Sequence, residues 1–398
     1  MICKITNKKI DKIFSFGKMP VANGFLKKEE ISNEFFFDLS FGFSEEISLF
    51  QINDHPPIEK MFNKNYPYKS SESKTMRGSF LKLAQKIKKN FNPDFIIEIG
   101  CNDGVFLKNF NSNKIIGIEP CVNLANIIKK KGYKVFSEYW DLKLAKKVTK
   151  KAKADLIYSA NTLSHIKDYS KIFNSIKFSL SNNGILILED PSLLECLKSV
   201  AYDQFYCEHI YVFSTISLSK ILKKFDLEIF DIEKIKTHGG SNRYFIKNKN
   251  NLTYKIKKSV KLEINREMRY GLNKYSTYKK FANKVLKSKK KLIQIFDKIK
   301  NKNIIGYGAT AKSCTVLNFC KINNSNISFF YDTTSFKLNK YIPGTKIKIL
   351  KYKKLNRKIA DFVFLGAWNF KDEIFQKEKK FIKEGGKFIT HIPTPRII

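Results

Sequence analysis

Paired cysteines are missing from this chain. Its seven cysteines (Cys3, Cys101, Cys121, Cys196, Cys207, Cys314 and Cys320) are scattered and never fall as C-x-x-C, which argues against a disulfide framework and a zinc ribbon. Long apolar runs are missing too: none approaches the ~20 residues that cross a bilayer. The Lys-rich start, Met1 to Ile10, has no apolar stretch behind it and does not read as a signal peptide. A soluble, cytoplasmic protein with no membrane partner is expected. Acid is scarce, with 36 Asp and Glu against 75 Lys and Arg, a net charge of +39. A field of that sign draws polyanions. The excess, however, is mostly Lys spread along every segment, and no RNA- or DNA-binding motif accompanies it. Nucleic acid is therefore not the expected partner.

What is present points to large buried cores. The chain has 398 residues, 43% of them apolar and 14% aromatic, enough for two or three domains and too much for a disordered chain. Residues 1–75 contain short strand-like pieces and the turn Tyr66-Pro67-Tyr68, and read as a small N-terminal module. From 76 to 248 apolar runs alternate with helical spacing: Phe95–Ile99, Ile115–Ile118, Asp155–Tyr158 and Gly184–Leu188. Residues 249–300 form a Lys-rich, helix-patterned connector. The alternation restarts over 301–398, with Ile304–Tyr307, Ile327–Asp332 and Asp361–Leu365. Strands alternating with helices predict parallel sheets with right-handed crossovers. The predicted fold class is α/β: a central Rossmann-like domain, a small N-terminal module and a second, C-terminal Rossmann-like domain.

The segment Glu98-Ile-Gly100-Cys-Asn102-Asp103-Gly104 stands where a first strand hands over to a helix. Glycines there let the backbone turn sharply and approach a ligand. Glu119 ends the next strand, where a carboxylate accepts hydrogen bonds from both hydroxyls of a ribose. Dinucleotide sites want G-x-G-x-x-G for a pyrophosphate. Here Asn102 replaces the middle glycine and Glu98 precedes the loop, which suits a cationic ligand without phosphate.

These motifs resemble the S-adenosylmethionine (SAM)-dependent C-methyltransferases of nucleotide-linked deoxysugars. The resemblance rests on Glu98–Gly104, Ile118-Glu119-Pro120, and Ser159-Ala-Asn161-Thr-Leu-Ser-His165. It extends through Tyr202-Asp-Gln-Phe-Tyr206-Cys207-Glu208-His209 and Thr237-His238-Gly239-Gly240-Ser-Asn-Arg243. It reaches Gly306-Tyr-Gly-Ala-Thr-Ala-Lys312, Tyr341–Gly344 and Ala367–Phe370. It implies the class I methyltransferase fold for the central domain and SAM as cofactor, held by Glu98, Gly100, Asn102, Asp103, Gly104, Glu119 and Asn161. It also implies a nucleotide-diphosphate sugar as the other partner, touched by Tyr66, Tyr68, Tyr206, Gly239, Gly240, Arg243 and Lys312.

The chain departs from the family pattern twice. The family's N-terminal zinc module carries four cysteines, and Cys3, Thr6, Ser44 and Ile47 stand at those places here. One thiolate does not make a structural zinc site, so a metal-free module is expected. Cys207 stands where the family has a histidine. Methylation beside a ketone needs a base with a pKa near neutral. His209 is the candidate, with Glu208 binding a hydroxyl or tuning it, and His165 donating to the ketone oxygen; the reverse assignment of the two histidines stays open. Two rival readings also stand: a methyltransferase acting on RNA, and a non-catalytic nucleotide-sugar binder.

Overall fold

The computed structural model describes residues 1–398. Three sheets organise it. The first contains β1 (Asp11–Pro20), β2 (Phe36–Ser44) and β3 (Leu49–Ile52). The central region contributes β4 (Ile96–Ile99), β5 (Ile115–Ile118), β6 (Lys134–Phe136), β7 (Ala154–Ala160), β8 (Leu180–Pro191), β9 (Tyr211–Val212), β10 (Leu227–Ile235) and β11 (Ser241–Asn248). The C-terminal region adds β12 (Ile304–Tyr307), β13 (Phe329–Asp332), β14 (Tyr341–Ile342), β15 (Ile347–Lys351), β16 (Phe362–Leu365), β17 (Lys387–Thr390) and β18 (Arg396–Ile397).

The central sheet has the order β10-β11-β8-β7-β4-β5-β6, with β11 antiparallel to both neighbours. Its inner strands are buried on both faces, which is why Ile96, Ile97 and Ile99 are apolar and every residue of the strand is buried, Glu98 near its carboxyl end included. Helix Lys74–Asn90 covers one face through Met76, Phe80, Leu83, Ala84 and Ile87, and Ser73 caps it by accepting from Met76 N. The chain winds outward from β4 through β5 to β6, then returns to β7 on the other side. The crevice beyond the carboxyl ends of β4 and β7 is therefore a switch point, where open α/β sheets bind ligands.

The C-terminal sheet repeats this logic with the order β14-β15-β13-β12-β16-β17-β18. Its five inner strands are parallel, and antiparallel β14 and β18 close the edges. The switch point lies between β12 and β16. The α/β class and the second Rossmann-like sheet agree with the sequence reading.

Two features lie outside the sequence pattern. The two-residue strand β9 leaves the central region and pairs with β3, so the first sheet runs β1-β2-β3-β9. The Lys-rich stretch is two helices, Lys258–Tyr270 and Tyr275–Lys298, broken at Gly271, whose φ of +88° suits glycine. Of the four positions aligned with the family's cysteines, Cys3 and Ile47 belong to the apolar core, with Phe41, Phe43 and Phe50. No group of three or more His, Cys, Asp or Glu side chains stands in a metal-holding arrangement. No helix is long and apolar enough to cross a membrane.

Candidate active site

A cavity of about 900 Å³ joins the two switch points, with walls from the central domain, the C-terminal domain and residues 58–73. Ligand pockets for single small molecules span roughly 300–1,000 Å³, so this one is at the upper end.

On the central side β4 turns at Gly100, whose φ is +76° and where a Cβ would lie 2.1 Å from Thr162 Oγ1. Only glycine fits there. Gly100 N donates to Ile118 O at 2.8 Å. Glu119, just past β5, accepts from Asn102 N through Oε2 (2.8 Å) and from Cys121 N through Oε1 (2.9 Å). Burial pushes its carboxyl up to about 7, against those two hydrogen bonds. Glu98 is buried on the cavity wall, its Oε2 without a partner. Burial, reinforced by the nearby Glu119 charge, pushes its carboxyl well above the usual range. Asn161, at φ +50°, presents a buried Oδ1 that is also unpartnered.

Between the two sheets lie the imidazoles. The ring of His209 packs on Tyr206, centroids 4.1 Å apart, and on His165 at 5.1 Å. His165 also stacks on Phe62 at 5.5 Å. His209 Nδ1 is 2.6 Å from the carbonyl oxygen of Gln204. A carbonyl can only accept, so Nδ1 carries the proton and Nε2 keeps its lone pair. Burial holds His209 well below 6.5, and the positive charge of Lys312 and the neighbouring imidazoles adds to this. His165 is pushed down to about 4 by burial, its Nε2 unpartnered.

Several expected residues do different work. Glu208 does not face the cavity: its Oε1 accepts from Asn23 Nδ2 (2.7 Å) and its Oε2 from Tyr66 OH (3.0 Å), so it orients two residues that do line it. Asp103 also turns away, accepting from Ser71 N at 3.2 Å, and Gly104 packs beside Ile128. Arg243 is buried in the sheet and spent on Glu189 and Glu233, each at 3.0 Å, so no guanidinium reaches the cavity. Gly239 and Gly240 border a separate small recess; a Cβ on Gly239 would meet Trp368 at 2.5 Å, a packing reason for that glycine. Cys207 Sγ is buried against Ala22 N at 3.5 Å, off the cavity wall.

Tyr66, Tyr68, Tyr206, Asn102, Glu119, Asn161, His165, His209 and Lys312 do line one cavity. Lys312 stands in the first turn of helix Ala311–Cys320, which Thr310 caps by accepting from Ser313 N at 3.0 Å. Sequence reasoning missed Asn23, Asp332 and Lys337 on the wall, and gave His238 no role although it lay inside a matched motif. Asp332 was visible only as the end of a strand.

Two family matches cover most of this architecture. The methyltransferase domain family matches residues 68–232, and the family described as the C-methyltransferase C-terminal domain matches residues 236–393. C-methyltransferase NovU of Streptomyces niveus is 27% identical over 395 residues, covering 97% of this chain and 94% of that protein. The chain is a SAM-dependent C-methyltransferase. Solved structures similar to this methyltransferase include a SAM-dependent methyltransferase from Anabaena variabilis, with 17% identity and a TM-score of 0.35 over 44% of this chain and 86% of that one. Another is the N-methyltransferase NodS from Bradyrhizobium japonicum, with 13% identity and a TM-score of 0.35 over 45% of this chain and 98% of that one.

The residues of the methyltransferase fit SAM. Unpartnered Glu98 Oε2 and Asn161 Oδ1 are acceptors that suit an ammonium or sulfonium cation, and an unmet buried acceptor is costly. Glu119 retains a free lone pair on each oxygen beyond its two backbone bonds, matching a pair of vicinal hydroxyls.

Proposed function

We propose that the methyltransferase moves a methyl group from SAM to a carbon alpha to the ketone of a nucleotide-linked keto-deoxysugar. The observation that carries this reading is the single cavity shared by two sheet switch points, with His209 between them. One crevice suits SAM; the other offers a second large ligand a capped helix N-terminus and Lys312, features that attract phosphate.

When bound, SAM supplies a methyl group made electrophilic by its sulfonium. His209 Nε2 takes the proton beside the ketone, and its Nδ1–H bond to Gln204 O holds the ring and steadies the imidazolium that forms. His165 donates to the developing enolate oxygen. Tyr66 and Asn23, anchored by Glu208, and Tyr206 beside His209 position the sugar. Glu119 holds the SAM ribose, while Glu98 and Asn161 receive its cationic end. Lys312 meets the diphosphate.

Incubation with radiolabelled SAM and a panel of nucleotide-linked keto sugars tests the reading, with the label expected on a ring carbon of one sugar. No labelled sugar from any member, or label in polynucleotide instead, overturns it.

A further inference from the structure

His209 makes one hydrogen bond, to the carbonyl of Gln204, so whatever fixes that peptide fixes the ring. Gln204 ends a single helical turn of the central domain, Tyr202–Gln204. Its side chain ties down a second imidazole on the cavity wall: Gln204 Nε2 donates to the main-chain oxygen of His238 at 2.6 Å. His238 is left-handed, at φ +53°, a conformation that costs a non-glycine residue and needs support from its surroundings. One residue therefore holds both rings, His209 through its carbonyl and His238 through its amide.

Gln204 is itself held from outside its own domain. Asp203, just before it, is fully buried, and its Oδ2 accepts from Trp368 Nε1 at 2.5 Å and from His391 Nε2 at 3.0 Å. Trp368 follows β16 and His391 follows β17, so both donors stand at the carboxyl edge of the C-terminal sheet. Each is fixed in turn. The Trp368 ring packs over Gly239, and the His391 ring stacks on Phe364 and meets the ring of Tyr202 edge-on, both at 5.9 Å. Two buried donors left without an acceptor are costly, so Asp203, Trp368 and His391 act as one unit. None of the three lines the cavity.

We infer that Asp203 is a positioning residue for the base: by clamping Trp368 and His391 it seats the Gln204 peptide that sets the tautomer and direction of His209. Proton abstraction then depends on the C-terminal domain as well as on the domain that carries the histidine. The inference rests on the reading of His209 as base given above and adds to it the group that aims it.

The test reads the imidazoles directly. The chain has five histidines, so nitrogen-15 histidine labelling of the full chain gives a small set of signals that report which ring nitrogen carries each proton, and H209A identifies those of His209. The unaltered protein should show His209 protonated on Nδ1 and His391 on Nε2. D203A should replace the single His209 tautomer by a mixture. It should also lower turnover of the keto sugar found by radiolabelling by about tenfold to a hundredfold, the scale of a reacting group misplaced by about 1 Å, with S-adenosylhomocysteine affinity unchanged. Both bonds fall on Oδ2 and none on Oδ1; an amide oxygen has the same two lone pairs, so D203N should restore the tautomer and most of the turnover. A loss of stability alone would lower the melting temperature and leave the spectrum as it was. If D203A does not fold, W368F, which removes one donor and keeps a ring over Gly239, should loosen the same signal. An unaltered His209 tautomer in whichever variant folds, or an altered one with undiminished turnover, overturns the positioning role. The spectrum needs no sugar, so undiminished turnover in H209A removes His209 as base as a separate result.

Discussion

His209→Ala separates the base from the rest of the site. The imidazole is fixed by one short bond to Gln204 O and by packing on Tyr206 and His165, and none of these groups belongs to the Gly100 turn. Truncation therefore removes proton transfer while leaving the SAM half intact. General-base catalysis is worth about 10²–10⁴ in rate, or roughly 3–5 kcal/mol of barrier. Two measurements isolate it. With S-adenosylhomocysteine in place of SAM, the unaltered protein should exchange the hydrogen beside the ketone for deuterium from solvent, and the variant should do so at least about a hundredfold more slowly. Calorimetry should give the same S-adenosylhomocysteine affinity for both. Added imidazole should restore part of the exchange, because the truncated ring opens onto a cavity of about 900 Å³. Undiminished exchange in the variant would refute His209 as the base and hand the role to His165.

The neighbouring charges extend the argument to pH. Lys312 helps to hold the His209 imidazolium down, so K312M removes a positive charge and should raise that pKa. The acid limb of the kcat profile should then move to higher pH; a shift the other way, or none, contradicts the electrostatic coupling. Glu119→Ala should weaken S-adenosylhomocysteine binding by about tenfold or more in calorimetry, since two hydrogen bonds to a charged acceptor go; unchanged affinity rejects the ribose assignment. His165 has a folded pKa of about 4 against 6.5 when unfolded. The unfolded chain takes the proton first, so stability is lost as pH falls from 6.5 to 4, by about 3 kcal/mol in full. H165F cannot titrate. Urea denaturation should show it gaining on the unaltered protein by that amount between pH 7 and pH 4, and a constant difference would mean that His165 is not buried uncharged.

The sequence revealed what is local along the chain. Glu98, Gly100 and Glu119 were legible because a left-handed turn and a carboxylate at the next strand end have strong residue requirements. The buried strands were legible because both faces of Ile96–Ile99 and Phe362–Leu365 are covered, so all their residues but Glu98 are apolar. What failed depends on partners far away in sequence. Arg243 reads in the sequence as a contact to the sugar or diphosphate, but β8 and β10 place Glu189 and Glu233 against it. Glu208 looked catalytic beside His209, yet adjacent residues in a turn diverge, and its carboxylate meets Asn23 and Tyr66 more than a hundred residues earlier. Asp332 was visible only as a strand end, because the two backbone donors that clamp its carboxylate, Ala309 N and Thr334 N, come from separate loops.

On the proposed reaction, the register gives each of the three regions a part. Proton abstraction beside a ketone and transfer from a sulfonium both create or remove charge, and both gain from a site closed to water. Two crevices facing each other bring two ligands together, but their seam must be covered. Residues 66–72 run over it. Tyr66 O accepts from Asn123 Nδ2 (3.0 Å), Tyr68 O accepts from Asn102 Nδ2 (3.1 Å), and Ser70 N donates to Asn102 Oδ1 (2.9 Å). Glu72 Oε2 then accepts from Thr334 Oγ1 (2.8 Å), two residues past Asp332. Asn102 thus contributes its backbone to the Glu119 clamp and its side chain to the cover, and Thr334 does the same for the Asp332 clamp. The segment that covers the cavity is thus held by Asn102 and Thr334, the residues whose backbone N–H groups also fix the Glu119 and Asp332 carboxylates on its wall.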